Sequence, residues 1–298
     1  MLQRQAFRRL SVLRSHLQRE ASFSTVSRGA KFSLNYRQYL KMPNGELGSW
    51  FHDLPIGISG NTVNMLVEIP RWSNAKFEVS KEQDFNPIMQ DSKKGKARFV
   101  NNLFPFKGYI HNYGAIPQTW EDPTGGLDGL KGDNDPIDCC EIGSAILPTG
   151  TIARVKVLGS IALIDDDELD WKVIVINEKD PLFTKIDSLH DVETYMPKLL
   201  EATREWLQNY KIPSGKPENK FALNGQYCDA EHTMGVIREC HDAWSKLVCN
   251  NLDTKVNDLP CTRRAGEGVT LDDDFHEPVG IPNEVDKWFF IKNGKLAN

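Results

Sequence analysis

A chain of 298 residues that is 40% hydrophobic and 26% charged, with a net charge of −5, has the make-up of a soluble globular protein able to bury a substantial core. No apolar run approaches the roughly eighteen residues needed to cross a bilayer, and the acidic balance lacks the basic footprint of a general nucleic-acid binder. Six cysteines, at 139, 140, 228, 240, 249 and 261, form no Cys-x-x-Cys pair, and no Asn-x-Ser/Thr sequon occurs, so a thiol-state protein of a reducing compartment fits and a disulfide scaffold does not.

Residues 1–30 hold Arg4, Arg8, Arg9, Arg14, Arg19 and Arg28, no lysine, and Glu20 as their single acid. Phe7, Leu10, Leu13 and Leu17 fall at helical spacing and serines gather toward position 27. Arg-rich, Ser-rich and acid-poor composition predicts a mitochondrial presequence over 1–30, hence a matrix protein, with a plain basic tail as the alternative. Its removal leaves a net charge of −10 on residues 31–298, which are expected to form one catalytic domain.

The run Asn61–Ile69 is β-prone, and Ala75–Val79 alternates, with Ala75, Phe77 and Val79 on one face and Lys76 and Glu78 on the other. Lys96–Val100, Thr151–Ile164 and Trp171–Ile176 complete a set of short strands between turn signals, the pattern of a barrel or curled sheet. Ser188 is placed to cap one helix reaching Tyr210, and a second helix is expected from Asp229 with a stripe of Met234, Ile237, His241, Trp244 and Val248. Residues 250–298 read as an irregular tail whose apolar end, Trp288–Ile291, docks back onto the body.

The chemistry concentrates in Gly132-Asp133-Asn134-Asp135-Pro136-Ile137-Asp138. Pro136 fixes its own φ and biases Asp135 toward extended backbone, where Asp133 and Asp135 would point to one side. Carboxylates about 5 Å apart at an effective dielectric near 20 repel by roughly 3 kcal/mol per pair, so a cation belongs among them. Oxygen-only donors favour Mg²⁺ over Ca²⁺ and the softer metals. An EF-hand is excluded by Ile137, Asp138 and Ser144 at positions that loop reserves for other residues; His-Glu-x-x-His and Walker A patterns are also absent. Charges of both signs recur on the strands: Glu68, Lys76 with Glu78, and Asp170 with Lys172, with Asp165 nearby. One such pair reads as a solvated sheet face, whereas several beside the acidic turn suit a site holding cations and a polyanion together. Tyr109 and Tyr113, four residues apart, could donate to phosphate or simply pack, and Lys211 after Tyr210 could merely answer a helix dipole.

Val67–Lys76, Gly108–Pro123 and Gly132–Asp138 together resemble the soluble family I inorganic pyrophosphatases, most closely the eukaryotic branch and, with the presequence, its mitochondrial form. The resemblance runs from about Gly29 to Trp244 with a weaker echo at Asp286–Ile291. It implies an α+β fold with a mainly β core, an OB-like five-stranded barrel with flanking helices and extended terminal segments, homodimeric, with pyrophosphate as substrate and Mg²⁺ as cofactor. By resemblance Asp133, Asp138 and Asp170 hold the first Mg²⁺, with Asp138 shared by the second. Asp165 and Asp170 match ligands of the metal arriving with substrate, and Glu78 serves a further one. Asp135 matches the base that takes a proton from the metal-bridging water. Lys76, Arg98, Tyr113, Lys172, Tyr210 and Lys211 match groups around the two phosphates, and Glu68 and Tyr109 the hydrogen-bond shell. A hydrolase of other phosphoanhydrides and a silent subunit of the same fold stay open as alternatives.

Overall fold

Strands carry the architecture in the computed structural model, which describes residues 22–252 and 256–297. Five of them pair in a closed circuit: β3 (Thr62–Ile69), β6 (Asn112–Ala115), β7 (Asp138–Glu141), β8 (Ile152–Asp165) and β9 (Glu168–Asn177). The order runs β9–β7–β6–β3–β8 and back to β9, with β7 and β9 parallel and the other neighbours antiparallel. β8 and β9 are buried almost end to end, which their runs of Val and Ile permit. Their connection is two residues, Asp166 and Asp167, both at positive φ (47° and 71°), as a tight hairpin matching the strand twist requires. β6 crosses β3 so closely that a Cβ on Gly114 would lie 1.9 Å from the Leu66 carbonyl oxygen, so only glycine fits there.

A second sheet has the order β10–β1–β2–β5–β4, formed by β1 (Ser24–Ala30), β2 (Arg37–Lys41), β4 (Phe77–Val79), β5 (Ile88–Gln90) and β10 (Asp274–His276). The alternation anticipated around β4 is present: Ala75, Phe77 and Val79 are buried while Lys76 and Glu78 are half-buried on the other face. Mainly β with few helices describes the described residues as a whole.

Residues 24–30, within the stretch expected to be a leader, form β1, whose Ser24–Arg28 pair with Lys41–Arg37 of β2; residues 1–21 lie outside the described residues. Three expectations need correction. The single helix from Ser188 to Tyr210 is two, α1 (Leu189–Tyr195) and α2 (Leu199–Asn209). Pro197 lacks an N–H and disfavours helical backbone before it, leaving Met196 at φ −132° and Lys198 at φ 70°. The strand over Lys96–Val100 shrinks to Lys96–Ala97, because the bonds beyond it go to loop partners, Arg98 N–H to Asp91 and Val100 N–H to Asn74. The acidic turn is not extended, since Asn134 sits at φ 68°.

Helix α3 (Ala230–Val248) is capped by Asp229, whose side chain accepts from the His232 N–H, and buries Met234, Ile237 and Trp244. Residues 256–297 run back over the body: β10 lies parallel to β1, and Trp288–Phe289 pairs with Asn102–Leu103.

Candidate active site

The acidic turn is built against the Trp120–Glu121 backbone. Glu121 N–H donates to the Asp135 carbonyl and Asn134 N–H to the Glu121 carbonyl, both at 2.9 Å. A Cβ on Gly132 would sit 2.4 Å from the Glu121 backbone, so the turn comes this close only through glycine. Asn134 then reverses the chain, and Asp135 N–H donates to Asp133 Oδ1 at 3.0 Å. The reversal sends the two carboxylates different ways, Asp133 toward Glu121 and Asp170, and Asp135 toward Lys81 Nζ at 3.1 Å.

One cavity of about 300 Å³ receives every residue singled out above: Glu68, Lys76, Glu78, Arg98, Tyr109, Tyr113, Asp133, Asp135, Asp138, Asp165, Asp170, Lys172, Tyr210 and Lys211. Nine carboxyl groups line it against five ammonium or guanidinium groups, so its own cations leave negative charge unmatched. The strands explain the convergence. β7 starts at Asp138 directly beside Lys172 of β9, and the β8–β9 hairpin sets Asp165 at its tip with Asp170 five residues on.

Cations and acids interlock in three groups. Lys172, 3% exposed, contacts both Asp138 and Asp170, and the Tyr113 hydroxyl also donates to Asp138. Lys211 contacts Asp165, with the Tyr210 hydroxyl donating to the same carboxylate at 3.4 Å. Lys76 contacts Glu78 and lies 3.1 Å from Asp91, which also receives Arg98 at 2.8 Å. Glu68 accepts the Val79 N–H at 2.7 Å, and burial keeps its carboxyl well above the usual range. Tyr109 stacks obliquely between Tyr113 and Trp206, with centroids 5.1 and 5.2 Å away.

Burial, reinforced by Asp170, lifts Asp133 well above the ordinary carboxyl value. Burial likewise pushes Asp170 up to about 7, with Lys172 opposing and Asp138 adding to the rise. Asp135 stands at about 6 because burial outweighs the pull of Lys81, while its side chain keeps 42% exposure at the cleft. Glu121, Asp133 and Asp170 bring carboxylate oxygens within 4.8 Å of one another, and Glu121 Oε2 is buried without a hydrogen-bond partner. A buried carboxylate oxygen without a hydrogen-bond partner, on a side chain grouped this closely with two other acids, suits a bound cation.

A stability prediction follows with its sign. Between pH 7.5 and 8.5 the Asp170 carboxyl, raised to about 7, completes the loss of a proton that the unfolded chain lost near pH 4, so stability falls as pH rises. His52 and His111, depressed to about 4 and 3 by burial, are neutral in the folded protein throughout this window and largely so unfolded. Melting in a chelator should therefore drop by roughly 3 °C from pH 7.5 to 8.5, and Mg²⁺ should raise Tm more at pH 8.5 than at 7.5. A flat chelator profile would mean the repulsion is relieved without a metal.

Besides Asp166 and Glu168 at the β8–β9 hairpin, which line the cavity, Glu121, Lys81 and Asp91 escaped the sequence reading. Glu121 lies inside the Gly108–Pro123 stretch, and its signal was an acid between Trp120 and a second acid, Asp122. Lys81 follows the Glu78 strand by three residues and looked like an ordinary turn lysine. Asp91, bridging Lys76 and Arg98, gave no local signal because all three come from different segments.

A family model described as inorganic pyrophosphatase matches residues 65–245. The mitochondrial inorganic pyrophosphatase of Saccharomyces cerevisiae is 55% identical over 287 residues, covering 94% of this chain and 91% of that protein. The inorganic pyrophosphatase of Homo sapiens is 47% identical over 284 residues, covering 90% and 98%. Among solved structures, inorganic pyrophosphatase from Schistosoma japonicum superposes with a TM-score of 0.84 at 41% identity, covering 90% of this chain and 100% of that one. The N-terminally truncated vacuolar soluble pyrophosphatase of Trypanosoma cruzi, solved with PPi, gives 0.71 at 38% identity over 76% and 91%. With a matching model across most of its circuit of strands and relatives aligned over nine-tenths of its length, this chain belongs to the inorganic pyrophosphatase family.

Proposed function

We propose that this chain hydrolyses inorganic pyrophosphate to two orthophosphates in a Mg²⁺-dependent reaction. The observation that carries the reading is the single cavity in which carboxylates outnumber cations yet Lys76, Arg98, Lys172 and Lys211 all reach the lining. Such a site can hold cations among its carboxylates and, with their charge added to its own lysines and arginine, a multiply charged anion. Asp133, Asp138 and Asp170 would hold one Mg²⁺, with Asp138 shared by a second, and Asp165, Asp170 and Glu78 would hold those that come with substrate. Oxygen-only donors and the unsatisfied Glu121 Oε2 fit a hard cation. Bound there, Mg²⁺ supplies a lowered pKa for a coordinated water and charge neutralisation at phosphate oxygens.

The chain's own groups supply the rest. Asp135 accepts the proton of the attacking water as its oxygen bonds to one phosphorus. The bond from that phosphorus to the bridging oxygen breaks, and the oxygen departs with the second phosphate carrying the electron pair. Lys76, Arg98, Lys172 and Lys211 meet charge developing on phosphate oxygens, and Tyr113 and Tyr210 donate hydrogen bonds. Glu68 and Tyr109 brace this lining from behind.

The same reading takes the five-strand circuit as an OB-like barrel and the chain from residue 31 on as one catalytic domain, now with β1 added in front. A mitochondrial leader is proposed for the residues before Phe23, supported by their arginine content and by the yeast relative's name. A homodimer is supported by an exposed aromatic cluster in which Phe104 lies 5.9 Å from Trp288 and 5.3 Å from Phe290.

Phosphate release from pyrophosphate, ATP and tripolyphosphate, each with Mg²⁺, Ca²⁺ or chelator, tests the function. Turnover is expected with pyrophosphate and Mg²⁺, reduced at least about tenfold with Ca²⁺, whose larger and looser coordination misplaces the reacting groups. Preference for the longer substrates would move the chain to a broader phosphoanhydride hydrolase, and no release at all would leave it a silent subunit.

A further inference from the structure

The tail segment Asp258–Cys261 meets the acidic turn from two sides. On one, the Asn134 side-chain amide donates to the Asp258 carbonyl at 3.0 Å, while its Oδ1 accepts the Trp120 indole N–H at 2.8 Å. Asn134 is the residue at φ 68° that separates Asp133 from Asp135, so these bonds hold the hinge of the turn. On the other, Cys261 N–H donates to the Lys81 carbonyl at 2.7 Å, and Lys81 Nζ lies 3.1 Å from Asp135 Oδ1. The segment is itself anchored: Pro260 is buried, and the Cys261 carbonyl meets His52 Nε2 at 3.0 Å and the Asn86 side-chain amide at 3.1 Å.

We propose that Asp258–Cys261 is a positioning element for Asp135, acting through Asn134 on its backbone and through Lys81 on its carboxylate. The proposal rests on reading Asp135 as the base. Neither contact touches the substrate cavity from the tail side, so the element acts only through these two neighbours. A carboxylate that must receive a proton at the moment of attack tolerates little displacement; errors near 1 Å cost on the order of a hundredfold in rate. A half-exposed side chain on a tight reversal has few other restraints, and the tail supplies two.

The test uses the full chain with Asn134→Gly, Pro260→Gly and the double variant. Glycine accepts the positive φ at 134, so that change deletes the side-chain bonds while leaving the turn accessible. Pro260→Gly frees the anchor without approaching the cavity. Each single variant is expected to lower kcat about tenfold, with KM and calorimetric Mg²⁺ affinity within about twofold of wild type. The double variant should lose more than the Asn134→Gly protein but less than the product of the two single losses, because the two changes share the Asn134 contact while only Pro260→Gly also loosens the Lys81 route. Wild-type kcat in both single variants, fully multiplicative losses, or parallel loss of Mg²⁺ affinity would overturn the proposal; the last would mean general loosening. Thermal melts verify folding, and Pro260→Ala read at reduced temperature replaces the glycine variant if that one melts. Asp135→Asn in the same assay separates the two levels: wild-type kcat there removes the base assignment itself. An inactive Asp135→Asn beside an unaffected Asn134→Gly removes only the tail's role.

Discussion

Asp135→Asn is expected to leave the fold and the cation sites in place and to lower kcat by about 10²–10⁴. Asparagine keeps the shape of the side chain and removes its ability to take a proton. The carboxylates grouped with Glu121 are those of Asp133, before the Asn134 reversal, and of Asp170 on β9, and neither is altered by the change. Lys81 loses its partner, but both side chains are partly open to water, 26% and 42% exposed, so the stability change should stay within about 1 kcal/mol. Steady-state kinetics with pyrophosphate, calorimetric Mg²⁺ binding and a melting curve together check the three parts. A kcat within a few-fold of wild type would reassign the base.

Lys172→Met should be the most damaging single change for stability and activity together. The ammonium is buried between Asp138 and Asp170, lies 5.4 Å from the Tyr113 ring centroid, and sits on β9 opposite Asp138 of β7. Removing one partner from such a group leaves buried carboxylates uncompensated, at a cost of about 3–5 kcal/mol. In chelator the melting temperature should fall by roughly 10 °C, and Mg²⁺ should recover part of that by replacing the lost charge. Activity should fall by about 10²–10³ because a cation facing the developing phosphate charge is gone. Lys172→Arg should rescue poorly, since a planar guanidinium cannot replace a compact ammonium between two close carboxylates. An unchanged metal-free melt of Lys172→Met would show that Asp138 and Asp170 are neutralised by some other route.

The strands were legible where side-chain period and chain length agree. The Val- and Ile-rich run that became β8 was read as 151–164 and spans Ile152–Asp165. Local grammar failed where one residue overrules its neighbours: Pro197 splits a helix whose apolar spacing continues across it, and Asn134 bends a turn that Pro136 argued should be extended. Glu68, Lys76, Glu78, Asp165, Asp170 and Lys172 stood out because acids and bases recurring on short strands had no simple use on a solvated face, whereas Arg98, Tyr109, Tyr113, Tyr210 and Lys211 were assigned to the site only by the family resemblance. Asp91 and Lys81 were invisible for the opposite reason, since their partners are brought near only by the sheet containing β4 and β5. The tail carried no readable period at all, because its backbone is satisfied by other segments: Leu47 N–H donates to Val269, and Val279 N–H to Lys31.

β1 pairs with β2 on one side and, in parallel, with β10 on the other, Arg28 opposite Asp274. The earliest described strand thus waits for one of the last, some 246 residues away along the chain. A sheet closed in this way cannot be finished until both ends have been delivered to the same compartment, so a chain threading through an import channel would stay open at this edge until its final fifth had emerged. The same pairing sets a limit on maturation. A processing cut after residue 30 would carry β1 away and leave β10 without a neighbour, whereas a cut ahead of Ser24 would spare the seam.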